Sequence, residues 1–513
     1  MAACFDVIVV GAGSAGSVVA RRLSEAADCK VGLIEAGGWP SDPDITNPLK
    51  WPELAGRSYD WALRTTPQPG TAGRVHEWPR GRIVGGSSCL NAMAHVRGHP
   101  ADFDAWAAAG GPTWSYEALL PGFIRSESFR AFESSTHGRD GPLDVYLPDA
   151  EISPVARAFM AAGNAMGVPA LPDHNSGRLA GTSANALNIR NGRRLSMADA
   201  YLPPTVLARP NLSVLTGYEI RHFEIQGSRV GRIIADSAAG RAEFSAGQMV
   251  LCAGAVASPL ILMRSGIGPP AALKRAGIPC KISRPEVGCN LQDHLLGLVN
   301  IYHAKQAVPP SRLQHSESLM YLNSGNISDG AARPDIVLAC VVAPAAAPGL
   351  PAPPYGTAYT ILFGVTGPTS RGRILPGGPG PASAPIIDPQ YLATENDRTK
   401  FRTAFKLARE IGHHAALADW RAAEALPGPT VTTDAAIDAF IARAACTHHH
   451  PCGTCRMGLD AKAVVSPDLR VNGLDNVFVV DASVMPRIPS GPINAAVAAL
   501  AENWVQAARV TRF

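Results

Sequence analysis

The chain has 513 residues, of which 46% are apolar and 17% charged, and it carries a formal charge of +4. That length exceeds one ordinary core and predicts two domains. With no block of five or six basic residues and no uncharged apolar run of membrane-spanning length, nucleic acid and a membrane are excluded as expected partners, and a small molecule is favoured.

Met1 leads straight into an apolar pattern, with no basic region and hydrophobic stretch ahead of it, so no secretion signal is read. Ten cysteines without regular spacing outside one late run suit free thiols in a reducing compartment, which predicts a cytoplasmic location. Phe5 to Gly11 (FDVIVVG) reads as a buried parallel strand. Ser14 to Ala27 reads as a helix with apolar residues at Val18, Val19 and Leu23, and Lys30 to Glu35 as a second strand. The turn between the first strand and the helix, GAGSAG, supplies Gly11, Gly13 and Gly16 for a tight turn, approach to a pyrophosphate and close helix–strand packing. Glu35 follows Gly16 by 19 residues, where a carboxylate can accept hydrogen bonds from a ribose hydroxyl. A lone GxGxxG is a weak signal; with both strands, the helix and the acid it predicts a dinucleotide site, for NAD or FAD.

Arg80 to Met93 (RGRIVGGSSCLNAM) is a second glycine-rich stretch, whose small residues at Gly85 to Ser88 let backbone amides approach a large planar ligand. Strands follow at Leu212 to Thr216 and Gln248 to Cys252, the latter leading through AGAVASP into a helix at Pro259 to Ser265. Ile336 to Leu350, broken by Pro344 and Pro348, reads as a buried strand running into a loop, and Tyr359 to Val365 as a further strand. Val477 to Asp481 is again a buried strand, and Asn494 to Arg509 a long helix. A nucleotide-domain strand so late in the chain makes that domain discontinuous. It is expected at 1–150, 202–287 and 467–513, with a substrate domain at 151–201 and 288–466. The predicted fold is α/β: a Rossmann-like cofactor domain and an inserted α+β substrate domain built on an antiparallel sheet.

Thr447 to Gly458 (THHHPCGTCRMG) admits three readings: a metal site, a CxxC redox pair, or an active-site wall holding one catalytic imidazole. The spacing of His448, His450, Cys452 and Cys455 is unlike common zinc arrangements, and CGTC follows an extended segment instead of opening a helix.

On its motifs the chain resembles the glucose–methanol–choline family of FAD-dependent oxidoreductases over nearly its whole length. The resemblance rests on GAGSAG with IEAGG, RGRIVGGSSCLNAM, GAVASPLILMRSGIGP (Gly254 to Pro269), VGCNLQDHL (Val287 to Leu295), HPCGTCRMG and VVDASVMP (Val479 to Pro486). It implies FAD, non-covalent because the histidine that carries the flavin in some members is Leu90 here. It implies Gly11, Gly13, Ser14, Gly16 and Glu35 around the ADP half, Gly85, Gly86, Ser88 and Asn91 near the isoalloxazine, and Asp481 and Ala482 near the ribityl and pyrophosphate. Ala15, Ala36, Arg82, Ala92, Met93, Ile220, Ala253, Gly254, Asn494 and Ala495 complete the implied cofactor contacts. Asp293 and His294 are implied to be structural, buttressing the join between domains.

The resemblance also implies alcohol substrates. Oxidising an alcohol with a flavin moves hydride from carbon to flavin N5 while a base takes the hydroxyl proton, a task that suits imidazole with its ordinary pKa of about 6.5. His450 matches the family's base. Pro451 biases His450 towards extended backbone, and in an extended segment His448 and His450 share a face while His449 points away. His448 is then a pocket neighbour, Asn494 takes the family's second polar position and orients the substrate oxygen through its amide, and Pro492 packs on the same pocket. No metal is expected.

GRSYDW (Gly56 to Trp61), HNSG (His174 to Gly177), VPPSRLQHSESLMY (Val308 to Tyr321) and the full THHHPCGTCRMG resemble the branch of the family that acts on pyridoxine. This implies oxidation of its 4-hydroxymethyl group to pyridoxal, with O2 reduced to H2O2. The alternatives are an alcohol like 5-hydroxymethylfurfural, benzyl alcohol or choline, a different electron acceptor such as a quinone, and a hydroxynitrile lyase that keeps FAD as structure. A monomer or small homo-oligomer is expected.

Overall fold

The computed structural model describes residues 4–511; the expected domain limits at residues 1 and 513 lie outside the described residues. Among the described residues, two large sheets organise the chain. In the first, of seven strands, Cys4–Val10 pairs in parallel with Val31–Glu35 on one side and with the end of Gly240–Leu251 on the other. Leu212–Thr216 adds beyond Val31–Glu35, and Val477–Val479 lies parallel to the end of Gly240–Leu251. The inner strands, buried on both faces, are short runs rich in Val, Ile and Leu, whereas Leu212–Thr216 at the edge is only partly covered. Gly240–Leu251 is longer than the sequence predicts, because its first half pairs antiparallel with Arg229–Ser237, and that strand with Glu219–Gln226.

Two helices depart from expectation for local reasons. Ser14–Leu23 stops short of Ala27: the Ser24 hydroxyl donates to the Arg21 carbonyl, and the Asn211 amide gathers the carbonyls of Ser24, Ala26 and Cys29 into a turn. The helix predicted from Pro259 instead starts at Gly254. Pro259 has no N–H for the Ala255 carbonyl, and the Thr454 hydroxyl donates to that oxygen at 2.6 Å.

The second sheet has eight strands, every pair antiparallel. Gly181–Ala184, Ser316–Leu322, Ile336–Val341, Ala358–Val365, Ile301–Ala304 and Arg421–Leu426 run across it in that order. Leu295–Gly297 joins Ala358–Val365 and carries Ala445–Thr447 on its other side. Alternation sets its two faces. Ile336, Leu338 and Cys340 belong to the main core, where the helix Glu395–His413 packs. Val337, Ala339 and Val341 join Leu296, Leu319, Tyr321 and Leu362 in a separate apolar cluster on the other face. The architecture is the α/β fold with an antiparallel second sheet that the sequence predicts. Among the described residues no helix is long and apolar enough to cross a membrane.

Candidate active site

A cavity of about 1200 Å³ is lined from both sheets. That exceeds the usual small-molecule pocket and leaves room for a dinucleotide beside a small substrate. Gly11, Gly13, Ser14, Ala15, Glu35 and Ala36 line one part of it. Gly86, Ser88, Asn91, Ala92, Met93, Ile220, Ala253, Gly254, Asp481, Ala482 and Asn494 also line it, as do Pro492, His448, His449 and His450. Four residues expected at the cofactor stand behind this lining. Gly16 backs onto the Gly11 carbonyl, Gly85 faces Cys89 and Ala198, Arg82 pairs with Glu219 at 3.5 Å and lies over Trp61, and Ala495 is buried in the C-terminal helix.

The nucleotide end fits a dinucleotide in detail. A Cβ on Gly86 would come within 2.7 Å of the Gly13 Cα, so the two glycine-rich loops touch through backbone alone. The helix Ser14–Leu23 has neither a capping side chain nor an acid in its first turn, which leaves its N-terminal amides for an anion. Glu35 accepts from Ala12 N–H and Gly37 N–H, each at 2.9 Å, one on each carboxylate oxygen. Burial raises its pKa while those two amides pull it down, and the remaining lone pairs can accept from a diol. Asp481 is engaged by the chain itself, accepting from Gly254 N–H, the Ser258 hydroxyl and Ser483 N–H, and so holds the start of the helix Gly254–Arg264. Asn494 accepts the Ser14 hydroxyl on its Oδ1 at 2.7 Å, which ties its side chain to the glycine turn and leaves its NH2 to donate.

The histidine end is built by sheet register. Leu295 pairs with Thr447, the ladder continues through His448 N–H to the His294 carbonyl at 2.8 Å, and it resumes at Gln292 and Cys452. Two residues, Asp293 and His294, therefore face four, His448 to Pro451, and the longer segment bulges. The extended segment predicted here is corrected by this bulge: His449 adopts φ +63°. His448 and His450 are nonetheless brought together, their ring centroids 4.3 Å apart. Buried Asp293 clamps the bulge, accepting from His450 N–H at 2.8 Å, from the Thr447 hydroxyl at 2.6 Å and from the Tyr391 hydroxyl. Arg80 donates to the His449 carbonyl at 3.0 Å.

Burial sets the charge state of this cluster. It pushes His448 down to about 4 and His449 to about 3, the latter helped by Arg80. His450 is lowered well below 6.5 by burial and then by its histidine neighbours. All three are neutral at pH 7, and a neutral imidazole can take a proton. Cys452 and Cys455 are fully buried and their thiols are raised by burial, the opposite of what a redox CxxC needs. Among the described residues the metal-capable grouping is His294, His448 and His450, with nitrogens within 4.8 Å of one another, not the histidine–cysteine set weighed from the sequence. Sequence reasoning missed His294 as a neighbour of His450, along with Arg80, Thr366 and Tyr391. NLQDH was visible as a motif, but nothing in its spacing announces a partner 156 positions away.

A family model described as GMC oxidoreductase matches residues 5–296, and its C-terminal counterpart matches residues 368–501. The chain is 52% identical over 501 residues to pyridoxine 4-oxidase of Microbacterium luteolum, covering 98% of each. It is 35% identical over 531 residues to oxygen-dependent choline dehydrogenase of Photobacterium profundum, covering 98% of this chain and 92% of the relative. Among solved structures, pyridoxine 4-oxidase from Mesorbium loti superposes with a TM-score of 0.97 at 52% identity over 99% of both chains. A substituted form of Aspergillus oryzae formate oxidase, at TM-score 0.91 and 24% identity over 100% of this chain and 99% of that one, shares the fold.

Proposed function

The chain belongs to the GMC oxidoreductase family, and from that premise we propose that it oxidises the 4-hydroxymethyl group of pyridoxine to the aldehyde, with O2 reduced to H2O2. It is an FAD-dependent oxidoreductase acting on CH–OH groups. The observation that carries the substrate reading is the full-length identity to pyridoxine 4-oxidase, together with the character of the cavity wall. The second sheet contributes Leu296, Leu319, Tyr321, Val337 and Leu362 to that wall and, among the described residues, no carboxylate. A neutral aromatic alcohol suits such a wall better than choline, whose fixed cation calls for an acid or an aromatic cage.

When bound, FAD supplies the oxidant that takes hydride from the alcohol carbon and passes the electrons on. His450, which lines the cavity and whose Nδ1 is engaged by His294, takes the hydroxyl proton on its other ring nitrogen, a role its neutral state at pH 7 supports. His448, packed against it, is its neighbour in the pocket wall. Asn494, its Oδ1 held by Ser14, orients the substrate oxygen through its NH2, and Pro492 shapes the pocket without a polar group. We assign 1–150, 202–287 and 467–513 to the cofactor-holding unit, and 151–201 with 288–466 to the unit that closes the substrate end. Free cysteines along the chain support a cytoplasmic location.

The test is turnover of pyridoxine, 5-hydroxymethylfurfural, benzyl alcohol and choline, reading flavin reduction and peroxide together. Pyridoxine is expected to lead with stoichiometric peroxide. Good activity on another alcohol with none on pyridoxine would sink the substrate assignment. An alcohol that fails to bleach the flavin anaerobically would point to a lyase.

A further inference from the structure

His450 can act as a base only if the nitrogen facing the substrate is the bare one. A neutral imidazole carries a single N–H, and which nitrogen holds it is decided by the partner of the other. In this fold that partner is another histidine. His294 Nδ1 and His450 Nδ1 lie 3.0 Å apart, with the two rings nearly perpendicular at 84°. The other nitrogen of His294, Nε2, lies 3.1 Å from the Thr366 carbonyl oxygen.

A carbonyl oxygen accepts and cannot donate, so His294 must carry its proton on Nε2. Its Nδ1 is then a lone pair. The 3.0 Å contact between the two Nδ1 atoms needs one proton between them, and only His450 can supply it. His450 is thereby fixed as the Nδ1–H tautomer, with Nε2 bare. We infer that Thr366 and His294 form a tautomer relay, in which a backbone carbonyl two residues' chemistry away sets His450 to present an unprotonated Nε2 to the substrate. His294 is a positioning residue, acting through His450, and the inference rests on the reading of His450 as the base.

The relay is rigidly anchored. Thr366 is buried, its N–H donates to the Asp335 carbonyl at 3.0 Å and its hydroxyl to the Pro334 carbonyl at 2.7 Å, so its own carbonyl has little freedom to turn. The ladder bond from His448 N–H to the His294 carbonyl fixes the backbone of His294, and Asp293 holds the backbone N–H of His450. Burial pushes His294 down to about 3, consistent with a neutral ring that accepts on Nδ1. The proton balance closes. His450 Nε2 takes the hydroxyl proton, the ring becomes imidazolium, and its Nδ1–H keeps donating to His294 throughout. The opposite tautomer would point an N–H at the substrate and could not take a proton there.

The test has two arms on the flavin-loaded protein. In the first, 15N-histidine spectra, with His450 assigned by its absence in His450→Asn, are expected to show His450 protonated on Nδ1 at neutral pH. Protonation on Nε2 overturns the relay. In the second, His294→Asn keeps an amide oxygen able to accept from His450, and His294→Leu removes the acceptor. Losing the group that orients a catalytic imidazole costs up to about 10⁴-fold in rate when the tautomer is wrong. His294→Leu is therefore expected to slow anaerobic flavin reduction by about 10²-fold with KM little changed, and His294→Asn to recover most of that loss. Equal impairment of the two variants, or an unimpaired Leu variant, overturns the relay. Should the Leu variant fail to retain flavin, the tautomer seen in the unsubstituted protein decides alone. Undiminished reduction in His450→Asn would instead remove the base assignment, while leaving the tautomer result to stand or fall separately.

Discussion

Gly16→Ala is expected to dislodge the start of the helix Ser14–Leu23 and with it the cofactor. A Cβ built at Gly16 would sit 1.8 Å from the Gly11 carbonyl oxygen and 3.3 Å from the Cys252 Cβ, where real Cβ atoms do not approach closer than 3.0 Å. Helix and strand must therefore separate by about 1 Å, on the scale of the overpacking that costs about 1–3 kcal/mol. Gly11 cannot give way. Its N–H is bonded to the Ile34 carbonyl at 2.7 Å, its φ is +97°, and a Cβ there would already meet the Cys252 carbonyl at 2.7 Å. The cost falls at the upper end of the range and lowers the melting temperature by roughly 3–5 °C for a domain of nearly 300 residues. Because the displaced atoms are the N-terminal amides left free for an anion, flavin content falls with it. The assay is a thermal melt together with the flavin-to-protein absorbance ratio after gel filtration. Gly38→Ala serves as control, since its Cβ would meet nothing within 4 Å. A Gly16→Ala protein that melts and retains flavin like the control would refute the packing argument.

Thr454→Val removes the hydroxyl that serves the Ala255 carbonyl in place of Pro259, and the stranded carbonyl is expected to cost about 1–3 kcal/mol in a denaturant melt; an unchanged midpoint would mean that the helix start does not depend on Thr454. Acid should destabilise the fold through its buried and half-buried histidines. His294 at about 3 and His174 and His448 at about 4 have folded pKa values depressed below 6.5, so each contributes fully above pH 6.5 and loses its contribution as pH falls towards 4, at about 1.4 kcal/mol per pH unit per group. A melting temperature constant from pH 7 to about 4.5 would contradict that burial.

The nucleotide end was legible because its determinants are local. GAGSAG, the flanking apolar runs and Glu35 lie within one βαβ unit, and period and spacing alone locate them. The parallel strands of the first sheet were legible for the same reason, as short runs rich in Val, Ile and Leu. Proline misled the reading of the helix after Cys252, since Pro259 marks a helix start unless a distant hydroxyl serves the carbonyl it leaves open, and Thr454 lies nearly two hundred residues on. The histidine run was visible but its geometry was not. Pro451 argued for an extended segment, whereas a register of two residues against four forces the bulge and the positive φ of His449. His294 was read as a buttress because no local signal could tell that strand pairing delivers its ring to His450.

Anaerobic stopped-flow with pyridoxine is expected to bleach the flavin of the unsubstituted protein, while His450→Ala keeps its FAD and reduces it about 10²–10⁴-fold more slowly, the range a positioned general base contributes. Flavin-loaded His450→Ala protein that bleaches at an undiminished rate would contradict the account.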